Sequence, residues 1–108
     1  MYKRQAAIRY IAGLITAHTR ASDVSFRYGG DEFAIILPDT SLAAGKNFAE
    51  RLRIIIEQNP LLINDNRIEL SISAGIVCYD NEENAQQLVQ RADAKLYQSK
   101  NDGRNRVS

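Results

Sequence analysis

The chain has 108 residues, 44% of them hydrophobic and 25% charged, with a formal net charge of +1. That composition fits one soluble globular domain with a single core, and the near-neutral balance excludes the basic surplus by which proteins hold nucleic acid or an anionic membrane. No apolar run approaches membrane-spanning length, so the segment is expected to be neither inserted in a membrane nor exported, although a parent protein could be anchored elsewhere.

Ile8, Ile11, Ala12 and Ile15 recur at helical spacing and predict an amphipathic helix over residues 6–19. Residues 24–28 and 32–37 are rich in aromatic and branched side chains and are joined by Gly29, Gly30 and Asp31, the pattern of a β-hairpin that Pro38 closes. Asp39, Thr40 and Ser41 offer N-cap oxygens ahead of Phe48, Ala49, Leu52, Ile55 and Ile56, a second helix that ends before Pro60. Residues 61–63 and 68–79 flank the turn cluster Asn64-Asp65-Asn66 and predict a second hairpin, whose long and nearly all-apolar arm reads as a central buried strand. Within it, Cys78 is the only cysteine; it reads as a small buried hydrophobe in a reducing, cytoplasmic compartment. Asn84 and Gln87 resemble a capping box for a third helix striped by Ala85, Leu88, Val89, Ala92 and Leu96. Gly103 is placed as its C-cap and residues 105–108 as a short closing strand. The order implies an α+β domain, one antiparallel-rich sheet with helices packed on a face. A helix opening directly after Met1, with no cap and no strand before it, implies that the first strand is missing.

The chemistry-bearing residues gather at the first hairpin. Gly29 and Gly30 accept the backbone angles of a tight turn, and that alone explains them; without side chains they also let phosphates approach backbone N–H groups. Asp31 and Glu32 add hard oxygen donors of the kind that hold divalent cations beside phosphates. Adjacent strand residues face opposite ways, so the two acids share a site only if the turn redirects one of them, and a further ligand must come from a neighbouring strand. Lys100 and Arg104, with Lys95 nearby, complement the dipole of the last helix or reach a triphosphate; spacing alone does not decide between these. Arg20 and Asp23 read as a surface ion pair, Arg51 as a solvated helix residue and His18 as a surface or satisfied histidine.

Taken together, Arg27-Tyr28-Gly29-Gly30-Asp31-Glu32-Phe33, Leu37-Pro38-Asp39-Thr40, Ala49-Glu50-Arg51, Ser71-Ile72-Ser73-Ala74-Gly75-Ile76, Arg91-Ala92-Asp93-Ala94-Lys95-Leu96-Tyr97, Lys100 and Gly103-Arg104-Asn105 form a series in which every block is in order. The series resembles the GGDEF family of diguanylate cyclases from about Ala6 to the C-terminus. The resemblance implies a ferredoxin-like palm of the nucleotidyl cyclase type. It implies condensation of two GTP molecules into cyclic di-GMP with release of pyrophosphate, using Mg²⁺ or Mn²⁺, between the two facing domains of a homodimer. It places Gly29 and Gly30 against GTP, assigns Asp31 and Glu32 to metal binding and activation of the 3′-hydroxyl, and assigns Lys100 and Arg104 to the phosphates. Arg20 and Asp23 match the family's inhibitory R-x-x-D product site, which Arg51 completes in some members.

The pattern is not complete. The family's domain begins earlier, with a strand carrying another metal-binding Asp, a Phe-Lys segment and a guanine-reading Asn, and Gln5 stands where the family has an Asp. Residues 1–5 therefore read as a non-native junction and residues 6–108 as the C-terminal portion of the domain, and the fragment by itself is expected to make no cyclic di-GMP above background. Two other readings compete: a degenerate family member that only senses GTP or cyclic di-GMP, which the intact residues 29–33 disfavour, and a ferredoxin-like interaction module. The last lacks the basic-aromatic platform that single-stranded RNA needs.

Overall fold

A computed structural model describes residues 2–108, so Met1 of the expected junction lies outside the described residues, as does the side chain of Tyr2. The order of elements is helix α1 (Tyr2–His18), strands β1 (Val24–Gly29) and β2 (Glu32–Ile36), helix α2 (Leu42–Gln58), strands β3 (Leu61–Ile63) and β4 (Asn66–Ile68), and helix α3 (Ala85–Asn101). The α+β class is as expected.

Helices α2 and α3 start where local chemistry provides for their unpaired N–H groups. The Ser41 hydroxyl accepts from the Ala44 amide at the start of α2, and Asn84 and Gln87 form a reciprocal capping box at the start of α3. The apolar stripe of α2 buries Gly45, Ala49, Leu52 and Ile56, and the stripe of α1 buries Ile8 and Ile15. Ile15, Leu52 and Ile56 form the centre of the core, with Ile11, Leu14, Phe33, Ile35, Phe48, Leu70 and Ile72 packed around them. Burial of a Leu or Ile side chain contributes about 1.5–3 kcal/mol, so this cluster fixes α1 and α2 over one face of β2 and the extended segment after β4.

Both hairpins form. Strand β1 pairs antiparallel with β2, Val24 opposite Ile36 and Arg27 opposite Phe33, with a register shift between Arg27 and Gly29 at the tip. Strand β3 pairs with β4 around Asn64 and Asp65, both at positive φ as a two-residue hairpin turn requires.

Four expectations are corrected. The strands make two separate two-stranded sheets, where one was expected. Of the arm expected over residues 68–79 only Ile68 lies in a strand, at the end of β4, which takes in Asn66 from the expected turn; residues 69–79 run on without a ladder, and Ala74 alone bridges in parallel to Val107. Apolar composition supplies the burial of a strand but not its partner, and among the described residues the only neighbour is the short stretch 106–108, bonded through Ala74 N to Arg106 O, Ile76 N to Ser108 O and Ser108 N to Ala74 O. The closing strand shrinks to the same bridge. Finally, Cys78 is exposed, because the end of this unladdered segment is left uncovered.

Helix α3 sits against this segment at unusually close range. A Cβ added to Gly75 would lie 2.2 Å from the Leu96 amide nitrogen and 2.6 Å from the Ala92 carbonyl oxygen, so only glycine admits the helix backbone there. Ser99, fully buried, donates across the same junction to Ala74 O at 2.8 Å, and its Oγ lies 2.6 Å from Ser108 Oγ. Gly103, with φ of +123°, follows the C-cap residue Asp102, one place beyond the cap expected of it.

Candidate active site

The hairpin tip carries the first group of candidates. Gly30 has φ of +45°, a conformation that glycine adopts without the penalty other residues meet. Gly29 does not have a positive φ, and a Cβ built on it meets nothing within 4 Å. Neither backbone angle nor packing demands glycine at position 29, so its lack of a side chain leaves the tip open to something outside the chain. Arg27 steadies the turn by donating from Nε to the Gly30 carbonyl at 2.8 Å.

Asp31 and Glu32 leave the tip toward different elements. Asp31 Oδ2 lies 3.6 Å from Arg4 Nη2 in the first turn of α1, and Glu32 Oε2 lies 3.3 Å from Lys100 Nζ in the last turn of α3. The structure thus brings Glu32 and Lys100 together across 68 positions of sequence. It pairs Asp31 with a cation that sequence reasoning missed. The Arg4–Asp31 pair is exposed and the Glu32–Lys100 pair half-buried; pairs so open to water are worth about 0–1 kcal/mol to the fold and are easily exchanged for a stronger charge. Among the described residues there is no cluster of three or more His, Cys, Asp or Glu side chains, so the further protein ligand that the hairpin geometry called for is not found. Turned to different elements, the two carboxylates are not gathered on one point, but either by itself suits a small hard cation, which is held by one or two carboxylates and completes its shell with phosphate oxygens and water.

Arg104 follows Gly103 with φ of +61°, and its amide donates to Ser99 O at 3.0 Å. Lys100 and Arg104 thus leave the same end of α3, Lys100 already facing the hairpin.

The second group lies at the foot of β1. The Asp23 carboxylate accepts from the Arg20 amide at 2.7 Å and from Arg20 Nη2 at 3.1 Å, and it retains 2% exposure while Arg20 retains 60%. The Arg20 backbone N–H, and then its guanidinium, hold the Asp23 carboxyl below the usual carboxylate range. Arg20 Nη2 also donates to Pro38 O at 3.1 Å and to Thr40 Oγ1 at 3.0 Å, so the turn between β2 and α2 orients the guanidinium. Arg51 is exposed on α2 and makes no hydrogen bond or ion pair with Arg20 or Asp23 among the described residues. His18 is a surface residue whose Nδ1 lies 2.8 Å from Leu14 O.

A third pair escaped the sequence reading. Arg91 of α3 donates to Glu83 and, at 2.7 Å, to the Cys78 carbonyl, tying the helix to the loop before it. The Arg91 side chain pulls the Glu83 carboxyl below its ordinary range. Only the spacing of eight residues hinted at this pair, and a loop-to-helix reach is not a periodic signal.

Comparison with known proteins places the family and the fold. The family model described as the GGDEF domain of diguanylate cyclases matches residues 5–106. Diguanylate cyclase A of Treponema denticola is 40% identical over 99 residues, 91% of this chain and 27% of that protein. The response regulator PleD of Caulobacter vibrioides is 37% identical over 103 residues, 93% of this chain and 23% of that protein, so the chain spans only a minor part of each curated relative. In three dimensions the chain is similar to the GGDEF domain of DgcB from Caulobacter crescentus, solved in complex with c-di-GMP, with a TM-score of 0.87 at 30% identity over 95% of this chain and 62% of that one. A family match that spans residues 5–106 makes the chain a member of the diguanylate cyclase GGDEF-domain family.

Proposed function

We propose that this domain, within the protein that carries it, condenses two GTP molecules into cyclic di-GMP with release of pyrophosphate, the isolated chain making none above background. The observation that carries the proposal is the open tip: a glycine at position 29 that the fold does not require, beside two carboxylates held only by exchangeable ion pairs. Gly29 and Gly30 lie against the nucleotide. Asp31 and Glu32 would hold Mg²⁺ or Mn²⁺, and one of them takes the proton of the 3′-hydroxyl. A bound divalent cation would supply charge stabilisation at the reacting phosphate. Lys100, as a point charge, and Arg104, as a fork, take the phosphates. The reaction is an in-line displacement, in which positioning and electrostatics suffice and no covalent nucleophile is needed. Each copy holds one GTP and the product joins two, so two copies must face one another as a homodimer.

Arg20 and Asp23, with Arg51, form a separate product-binding site through which cyclic di-GMP slows its own synthesis. Support comes from the way Thr40 and Pro38 O hold the Arg20 guanidinium beside Asp23. With Asp23 almost covered, the guanine edge of the product gains its carboxylate by displacing part of the Arg20 contact.

Calorimetric titration with a non-hydrolysable GTP analogue, with and without Mg²⁺, tests the reading. The expected result is metal-dependent affinity that Asp31→Asn with Glu32→Gln abolishes. Affinity indifferent to metal and to both amides refutes it. Titration with cyclic di-GMP, weakened about tenfold or more by Arg20→Ala, tests the product site.

A further inference from the structure

Gly103, Arg104 and Asn105 have φ of +123°, +61° and +51°, three successive residues in the left-handed half of backbone space. Glycine takes such angles freely and asparagine tolerates them, but arginine does not favour them, so the turn must be held from outside. The Arg104 amide donates to Ser99 O and its carbonyl accepts from Arg106 Nε at 3.2 Å, and the link to α2 is the Asn105 amide. Its Oδ1 accepts from Arg53 Nη1 of α2 at 3.1 Å, its Nδ2 donates to Glu57 one helical turn further along α2, and the Asn105 backbone N–H donates to Ser73 Oγ at 3.1 Å. Arg53 is itself fixed, only 18% exposed and paired with Glu50 and, at 3.7 Å, with Glu57. The Asn105 side chain therefore ties the turn after α3 to α2, and its backbone N–H ties the same turn to the segment after β4.

We propose that Asn105, clamped by Arg53 and Glu57, is a positioning residue that presets the Arg104 backbone and so presents its guanidinium to the triphosphate of a bound nucleotide. The inference rests on the reading of Arg104 as a phosphate contact. An arginine on a loose turn must be ordered when the ligand binds, and the apparent affinity falls with the fraction of molecules in which the turn is competent. The clamp removes that loss beforehand. It uses a donor and an acceptor of one amide against a cation and an anion of one helix, so aspartate cannot replace it: a carboxylate would face Glu57 without a proton to donate.

The test uses Asn105→Gly, which keeps the left-handed backbone accessible and deletes only the amide, with Arg53→Met as a second variant that leaves the turn sequence intact. Titration with a non-hydrolysable GTP analogue and Mg²⁺ is expected to show about tenfold or greater weakening in Arg104→Ala, about three- to tenfold in Asn105→Gly, and a loss in the same direction in Arg53→Met. The double variant Asn105→Gly/Arg104→Ala should be no weaker than Arg104→Ala alone, within about twofold, because the clamp acts only through the guanidinium. Guanosine, which lacks phosphate, should bind all variants equally. Exchange of the Arg104 and Asn105 amides should speed up in Asn105→Gly. Parent-like GTP affinity in Asn105→Gly, full additivity in the double variant, or an equal loss of guanosine affinity each overturns the proposal. An Arg104→Ala variant with parent affinity refutes the phosphate role of Arg104 and this proposal with it, and unchanged amide exchange separately refutes the clamp.

Discussion

Replacing Gly75 with alanine gives the sharpest test of how α3 is held. The added Cβ would stand 2.2 Å from Leu96 N, 2.6 Å from Ala92 O and 2.7 Å from the Lys95 carbonyl carbon, all backbone atoms that no rotamer change can move aside. To reach ordinary contact, which begins near 3.4 Å, the helix must retreat by about 1 Å. A retreat of that size stretches the 2.8 Å bond from Ser99 Oγ to Ala74 O beyond hydrogen-bonding range and leaves a fully buried hydroxyl short of a partner. Overpacking costs about 1–3 kcal/mol and the strained hydroxyl about 1 kcal/mol more, so a total near 2–4 kcal/mol is expected. For a domain of this size that is a fall in Tm of about 10 to 25 °C, measured by circular dichroism or calorimetry. The control is Gly13→Ala, in α1, where nothing lies within 4 Å of an added Cβ; there the gain in helix propensity should stabilise by about 0.5–1 kcal/mol. If Gly75→Ala melts within 2 or 3 °C of the parent, by rough error of the method, the close approach of α3 is not what sets this position.

The two tip glycines should part company in the same assay: Gly30→Ala loses about 1–2 kcal/mol because its φ is positive, whereas Gly29→Ala stays within about 0.5 kcal/mol of the parent yet weakens binding of the GTP analogue. Equal stability losses at both positions refute the separation of turn from site. In the core, Ile56→Ala, at 0% exposure, should cost about 2–5 kcal/mol and Ile54→Ala, which is exposed, under about 0.5 kcal/mol; a reversal in urea denaturation contradicts the assigned face of α2. The carboxyls of Asp23 and Glu83 titrate below their ordinary values of 3.8 and 4.5, so on acidification the unfolded chain takes up protons first. The stability they contribute is whole above those ordinary values and is lost as pH falls through the lower folded ones. A plot of Tm against pH should therefore be less steep on its acid side in Asp23→Asn and Glu83→Gln than in the parent, and superimposable acid limbs contradict the two ion pairs.

What the sequence disclosed, and what it hid, follows from how far each interaction reaches along the chain. Caps and stripes are local, so Ser41, Asn84 with Gln87, and the buried face Ala49, Leu52 and Ile56 were legible residue by residue. So was the hairpin tip, whose glycines and acids are contiguous. The run at 69–79 misled because apolar content reports burial while a strand is a pairing, and the partner found for it is a single bridge. The exposure of Cys78 follows from the same error. At the site, Arg4 against Asp31, Thr40 against Arg20, and Asn105 against Arg53 and Glu57 were invisible for the opposite reason: each joins elements whose juxtaposition only the fold decides. The left-handed turn at 103–105 had a hint in Gly103, but one glycine does not announce two more such residues after it.

The side-by-side pairing of residues 74–76 with 106–108 encloses all of α3 in one chain loop. Parallel partners cannot be joined by a tight turn, so the ends of this loop meet only after the helix between them has shortened the path. Assembly order is thereby written into connectivity: α3 condenses early and the two extended stretches zip late. Refolding kinetics should show it, with Gln90→Gly slowing the folding limb and Val107→Ala chiefly quickening the unfolding one.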